Sequence, residues 1–107
     1  MVKGKLTEVR DIGYVVNRQD SSQLIDHCFL IFSTKDGEFT TYPLTKSTHA
    51  SSSLGKAIKV LLGRALEKKD FIEKDGELFF DSTAILGKEA YLEIVEERIK
   101  GVYEAAF

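Results

Sequence analysis

The sequence predicts a mainly β domain: a five-stranded barrel with one α-helix between the third and fourth strands. Apolar residues recur at i, i+3, i+4 and i+7 spacing in residues 51–66, which indicates one amphipathic helix. The segments on both sides are rich in β-branched and aromatic residues and are bounded by turn residues, as strands are. Because a chain of 107 residues can bury one core, we expect a single domain over residues 1–107.

Three strands are predicted before the helix, over residues 4–17, 24–34 and 38–44. The first contains Gly13, and an interior glycine indicates a bulge or a bend. The second is apolar on both alternating sides, which is typical of a strand covered on both faces. Asp36-Gly37 predicts a tight hairpin into the third strand. Pro43, which has no N–H for a β-ladder, marks either a sheet edge or the end of that strand.

The helix over residues 51–66 begins with three serines, whose hydroxyls can accept hydrogen bonds from its first N–H groups. Gly63 interrupts the helix near its end. A charged stretch with a turn signature follows, and then an apolar Leu-Phe-Phe segment that is either a short strand or an anchor. The last two strands are predicted over residues 88–97 and 101–107, joined by a turn at 98–100.

The predicted order is strand, strand, strand, helix, strand, strand. This is the order of the OB-fold, a five-stranded barrel whose second and third strands carry the binding face for oligonucleotides or oligosaccharides. The competing prediction is an α+β sandwich in which one face of the sheet stays uncovered. We adopt the OB-fold-like barrel, because it places a lone helix between the third and fourth strands.

Composition and motifs exclude several classes of function. The sequence has no apolar run near the roughly 20 residues of a membrane-spanning helix and no apolar signal core at its N-terminus. Its single cysteine, Cys28, fits a reducing compartment, so we expect a cytoplasmic protein without membrane contact. His27 and His49 lack partners at a metal-ligand spacing, and no nucleophile or phosphate-loop motif occurs. The sequence therefore predicts neither an enzyme nor a metal or cofactor site.

The basic and aromatic residues indicate a binding surface as the candidate site. The net charge of −2 means that a cationic surface would have to be created by folding. Proteins that bind single strands combine Lys and Arg along the backbone path with rings for base stacking. The candidate nucleic-acid-binding residues are Tyr14, Arg18, Lys35, Phe39, Tyr42, Lys46, Arg98 and Lys100. The pattern leaves the register of the third strand open, so either Phe39 or Tyr42 faces the groove, and Tyr14 joins from the first strand.

The basic candidates fall at strand ends and in loops of the expected barrel. Arg18 lies in the loop between the first two strands. Arg98 and Lys100 are predicted in the loop between the last two strands, and Lys35 and Lys46 flank the third strand. In an OB-fold these two loops edge the face of the second and third strands. We therefore expect a curved cationic surface over those two strands.

Three stretches of this chain resemble a group of small phage-encoded OB-fold proteins that bind single-stranded DNA. The stretches are GKLTEVRDIGYVV, YPLTKSTHASSSLGKAIKVLLGR and AILGKEAYLEIVEE, and together they cover about half of the chain. The resemblance implies an OB-fold barrel with the DNA on the face described above. It also implies partners among replication or recombination proteins.

Two hypotheses for function follow from the sequence. The first is a non-catalytic protein that binds single-stranded DNA with little sequence preference, in phage replication or recombination. The alternative is a protein-interaction or assembly module that uses a barrel edge and binds no nucleic acid. A homodimer formed through an exposed strand edge is compatible with both hypotheses.

Overall fold

The computed structural model describes the backbone of residues 1–16, 24–46, 48, 49 and 51–104, and the side chains of these residues except 12–16, 24–26 and 77. The described part is mainly β with one α-helix. The strands are β1 (Val2–Val16), β2 (Leu24–Thr34), β3 (Gly37–Thr41), β4 (Leu44–Thr45), β5 (Phe71–Lys74), β6 (Glu77–Phe80), β7 (Glu89–Val95) and β8 (Arg98–Tyr103), and the helix α1 is Ser53–Leu62. Single 3₁₀ turns cover Lys68–Asp70 and Ser82–Ala84.

Five of the strands close into a barrel. Hydrogen-bonded neighbours follow the order β1, β7, β8, β3, β2, and β2 pairs with β1 again. Every pair is antiparallel except β3 with β8, which run parallel. This confirms the predicted five-stranded OB-fold-like barrel and argues against the open sandwich. Helix α1 lies between the third barrel strand, β3, and the fourth, β7, with the short strand β4 just before it.

Strand β1 bends and pairs with both β2 and β7. Its register with β2 shifts between Leu6 and Glu8 and again between Asp11 and Gly13, which agrees with the bend predicted at Gly13. Its first residues also pair with β7 on the opposite edge, and Gly4 is buried at this crossing. A Cβ added to Gly4 would lie 2.5 Å from Leu92 Cδ1, so any larger residue would require the buried Leu92 side chain to shift.

Helix α1 is shorter than the predicted helix at its C-terminal end. Ser52 caps it, because its Oγ accepts a hydrogen bond of 2.9 Å from the Gly55 N–H. Gly63 does not interrupt the helix but ends it: it adopts a left-handed conformation with φ of 76°, and its N–H donates to the Lys59 carbonyl. Residues 63–66 therefore lie beyond the helix.

One hydrophobic core joins the helix and the barrel. The helix packs on β8, β4 and β7. The apolar residues of the core are Leu6, Cys28, Leu30, Phe32, Leu54, Ala57, Ile58, Leu61, Ile85, Ala90, Leu92 and Ile99. Ala90 and Leu92 alternate along β7 with the outward-facing Tyr91, as the alternating pattern predicted.

The turn before the last strand lies earlier than predicted. Glu96 and Glu97 have positive φ angles of 51° and 66° and form the turn between β7 and β8. Arg98 and Lys100 therefore lie in β8, and the prediction that they belong to a loop was wrong. No residue pattern indicates this turn, because turns with positive φ usually carry Gly or Asn and this one carries two glutamates.

The insertion between the helix and β7 is a two-stranded hairpin, β5–β6, that an ion pair fixes at its base. The Arg64 guanidinium donates to both carboxylate oxygens of Asp70, at 2.8 Å and 2.7 Å. The Glu67 N–H donates to Asp70 Oδ2, at 2.7 Å. These donors hold the pKa of the Asp70 carboxyl far below its usual value. In the described part of the chain, no helix has the length and apolar content needed to cross a membrane.

Candidate nucleic-acid interface

A cleft opens where β3 separates from β8. The two strands share only the pairs Thr40–Arg98 and Thr41–Ile99. Beyond Thr41 the chain continues along β2 as β4, where Leu44 pairs with Cys28. The space left between this corner, β8 and the start of α1 is a cleft of about 460 Å³, which we call the β3–β8 cleft.

A β-bulge on the β3 side of the cleft turns Tyr42 outward. Thr40 pairs with Ile31, and Leu44 pairs with Cys28. The chain therefore has four residue steps from Thr40 to Leu44, whereas the facing part of β2, from Ile31 to Cys28, has three. The extra residue falls at Tyr42-Pro43, which interrupts the strand because proline cannot donate to the ladder. Tyr42 is 46% exposed as a result.

A second bulge lies on the β8 side. Ile99 pairs with Ile94 and Gly101 pairs with Glu93, so Lys100 is an extra residue in β8. The ring of Tyr103 lies over Gly101: a Cβ there would meet the Tyr103 ring and hydroxyl at 2.6 to 2.8 Å. Gly101 therefore provides the space that Tyr103 occupies, and both Lys100 and Tyr103 line the β3–β8 cleft.

Arg98 holds Tyr42 in position at the edge of the cleft. Its Nη1 donates to the Thr41 carbonyl at 3.4 Å, and its guanidinium carbon lies 5.5 Å from the centroid of the Tyr42 ring. This is a cation–π contact, which orients the ring and leaves a substantial part of it exposed to solvent. The Arg98 guanidinium therefore covers one face of the Tyr42 ring.

The charges of the β3–β8 cleft are cationic and unpaired. Lys56, from the first turns of α1, and Lys100 both line it and are exposed. Among the described residues, no carboxylate pairs with Lys56, Arg98 or Lys100, and none lines the cleft. The positive charge is therefore available to an anion from outside the protein.

On the outer face of β1, β2 and β3, where a cationic surface was expected, carboxylates lie beside the cations. Glu8 binds Arg10 through two hydrogen bonds, of 2.6 Å and 3.3 Å, which lower the pKa of the Glu8 carboxyl. Glu38 also lies on this face and attracts the Arg10 cation. Nearby, Lys46 pairs with Asp11 at 2.7 Å. The carboxylates Glu8, Glu38 and Asp11 thus offset the cations Arg10 and Lys46 on this face. The cationic surface over the second and third strands stays a prediction, because Arg18 lies outside the described residues.

The structure brings three of the predicted site residues together and separates others. Tyr42, Arg98 and Lys100 meet at the β3–β8 cleft. Phe39 is opposite the buried Phe32 and packs on the core, so the open choice between Phe39 and Tyr42 is resolved in favour of Tyr42.

The remaining predicted site residues lie elsewhere. Lys35 is exposed at the β2–β3 turn, in a separate concavity. Lys46 is engaged with Asp11. Arg18 lies outside the described residues, as does the side chain of Tyr14, whose backbone belongs to β1.

Sequence reasoning missed two residues of the cleft, Lys56 and Tyr103. Lys56 lies off the apolar stripe of the helix, where a solvated position is the ordinary interpretation. Tyr103 lies in the last strand, and its outward side follows only from the register with β7. The available signal was the spacing of Arg98, Lys100 and Tyr103, three large polar or aromatic residues close together in one strand.

Comparisons with known proteins were made by a scan against protein-family models and by searches of curated proteins and of solved structures, and none of the three found a match. In the part of the chain that the structure describes, no group of three or more His, Cys, Asp or Glu is placed to hold a metal ion. The chemistry of the cleft itself therefore carries the functional argument.

Proposed function

We propose that this chain is a non-catalytic, cytoplasmic protein that binds single-stranded DNA with little sequence preference, of the kind used in phage replication or recombination. The observation that carries the proposal is the β3–β8 cleft, where two exposed tyrosines lie beside three cations that pair with no carboxylate among the described residues. Replication or recombination proteins are the further partners that this role would require.

The side chains of the cleft suit both parts of a nucleotide strand. Lys56 and Lys100 can bind successive phosphates, and Tyr42 and Tyr103 offer ring faces to the bases. Base stacking on an aromatic side chain contributes about 1–3 kcal/mol per base and tolerates every base, because each base has a π-face. Such contacts would give affinity for a single strand without sequence preference.

The experiment that tests the proposal is a titration with oligo-dT at low salt, followed by tyrosine fluorescence. We expect quenching on binding, and an affinity that falls steeply as the salt concentration rises, since bound phosphates release counterions. Contact with three phosphates would give a slope of about −2 in a plot of log Kobs against log salt. Absence of binding at low salt would reject the proposal.

The second candidate function, a protein-interaction module, has its own supporting observation. The β5–β6 hairpin exposes three large apolar side chains, Ile72, Leu78 and Phe79, at 52%, 63% and 50%. Ile72 and Phe79 are cross-strand partners on one face of the hairpin, and Leu78 lies on the opposite face. Exposed apolar surface is typical of interaction sites. A chain that self-associates in sedimentation but binds no oligo-dT would favour this second candidate. Leu78→Ser/Phe79→Ser should then abolish self-association, and neither residue lines the β3–β8 cleft.

A further inference from the structure

The outer face of β8, β7 and β1 carries a row of side chains that starts at the β3–β8 cleft. Tyr103, at the cleft, is the cross-strand partner of Tyr91 in β7, and Tyr91 is in turn the partner of Lys3 in β1. Tyr91 faces outward, because its neighbours Ala90 and Leu92 are fully buried. Two steps between adjacent strands separate the first and last of these residues, which is about 10 Å.

The row ends in a second concavity, of about 480 Å³, that three lysines line. Lys3 and Lys5 come from β1, and Lys35 follows the last residue of β2, Thr34, whose partner is Gly4. Lys35 therefore continues the row on the far side of Lys3. We call this concavity the lysine end.

The charge along the row favours a polyanion at both of its ends. At the lysine end Lys3 pairs with Glu89 at 3.2 Å, whereas no carboxylate pairs with Lys5 or Lys35 among the described residues. Between the two ends lie the rings of Tyr103 and Tyr91. Two carboxylates on the outer side of β7, Glu89 and Glu93, flank Tyr91. Glu89 lines the lysine end and is the cross-strand partner of Lys5, and Glu93 is the partner of Gly101 in β8. The two ends of the row therefore carry more positive charge than its centre.

We propose that the β3–β8 cleft is one end of a longer binding track, which runs over Tyr103 and Tyr91 to the lysine end. Its ligand is a single strand long enough to place phosphates at both ends and bases on the rings between them. This inference rests on the proposed function and extends it: the strand crosses β8, β7 and β1 instead of β2 and β3. OB-folds occupy about 4–16 nucleotides, so a track with two ends lies within the usual range.

The test compares oligo-dT of increasing length, from 4 to 16 nucleotides (about the OB-fold range), on the unchanged chain and on Lys5→Gln/Lys35→Gln. For long oligonucleotides we expect weaker binding and a salt slope that is shallower by about 1.4, because two phosphate contacts are lost at about 0.7 each. For the shortest oligonucleotide that binds, we expect no change. The matched control is Lys68→Gln/Lys74→Gln, which removes two exposed lysines outside the track.

A separate change, Tyr91→Leu, tests the centre of the track. It should weaken the binding of long oligonucleotides about fivefold or more, as expected for one lost stacking contact. The affinity for the shortest oligonucleotide should not change. The track is rejected if these variants bind every length as the unchanged chain does, or if all lengths weaken equally. In both cases binding of the shortest oligonucleotide by the unchanged chain would still support the cleft, whereas no binding at any length would reject the proposed function as well.

Discussion

The outer face of β1–β3 and the β3–β8 cleft contain similar residues but differ in how their cations are paired. On the outer face Arg10 is held by Glu8, and nearby Lys46 is held by Asp11. In the cleft Lys56 and Lys100 have no carboxylate beside them among the described residues. An anion from solution must displace a bound carboxylate at the first surface but not at the second. The number of Lys and Arg residues on a surface is therefore a poor guide to where a phosphate binds.

The two bulges explain why the cleft opens between β3 and β8. A regular ladder would continue the pairing of β3 with β8 and close the space between them. The extra residue at Tyr42-Pro43 and the extra residue Lys100 lie on opposite sides of this space, and each turns a side chain toward it. The cleft is thus produced by two local departures from regular pairing within an otherwise closed barrel.

Charge reversal in the cleft has the largest expected effect. Lys56→Glu/Lys100→Glu should weaken the binding of oligo-dT about 100-fold or more at low salt, since each charged contact contributes about 1.5 kcal/mol or more. The matched reversal on the outer face, Arg10→Glu/Lys46→Glu, should alter affinity by less than about threefold, because Glu8 and Asp11 already offset these two cations. Fluorescence titration of both variants checks the comparison, and equal losses would show that the distinction between the two surfaces is wrong.

Removal of the Tyr42 ring has an intermediate expected effect. Tyr42→Ala should weaken binding by about 5- to 150-fold, the equivalent of about 1–3 kcal/mol of stacking, and Tyr42→Phe should retain most of the affinity. Phe39→Leu, three residues earlier, removes part of a ring that packs on the core, so it should lower the free energy of unfolding by about 1 kcal/mol and leave affinity unchanged. Urea unfolding and titration together distinguish the two positions. Loss of affinity in Phe39→Leu would contradict the register.

Breaking the Arg64–Asp70 pair should have the smallest effect on binding, because this pair fixes the hairpin and lies outside the cleft. Its effect is on stability. The folded-state pKa of Asp70 is depressed, so its stabilisation is fully present above a pH of about 4 and is lost as the pH falls below that value toward the folded pKa. Asp70→Asn should therefore be less stable than the unchanged chain at pH 7, and the difference should shrink in acid. A difference in Tm that is constant from pH 7 to pH 3 would contradict this.

The residue types were enough to predict several residues of the candidate site. They were not enough to predict that these residues meet at one cleft. Tyr42, Arg98 and Lys100 were each identifiable as aromatic or basic residues near strand ends. Their meeting at one cleft depends on the parallel pairing of β3 with β8, which joins residues almost 60 positions apart. No local pattern carries that information.

The sequence by itself determined the approximate positions of the barrel strands, the apolar stripe of the helix and the interruption at Pro43 between β3 and β4, because periodicity and backbone restriction act over a few residues. Only the tertiary structure decided which cations are paired, which tyrosines face one cleft, and that Arg98 and Lys100 lie in a strand. These features depend on register between strands that are distant in sequence, and a shift of one residue would turn every side chain to the opposite face.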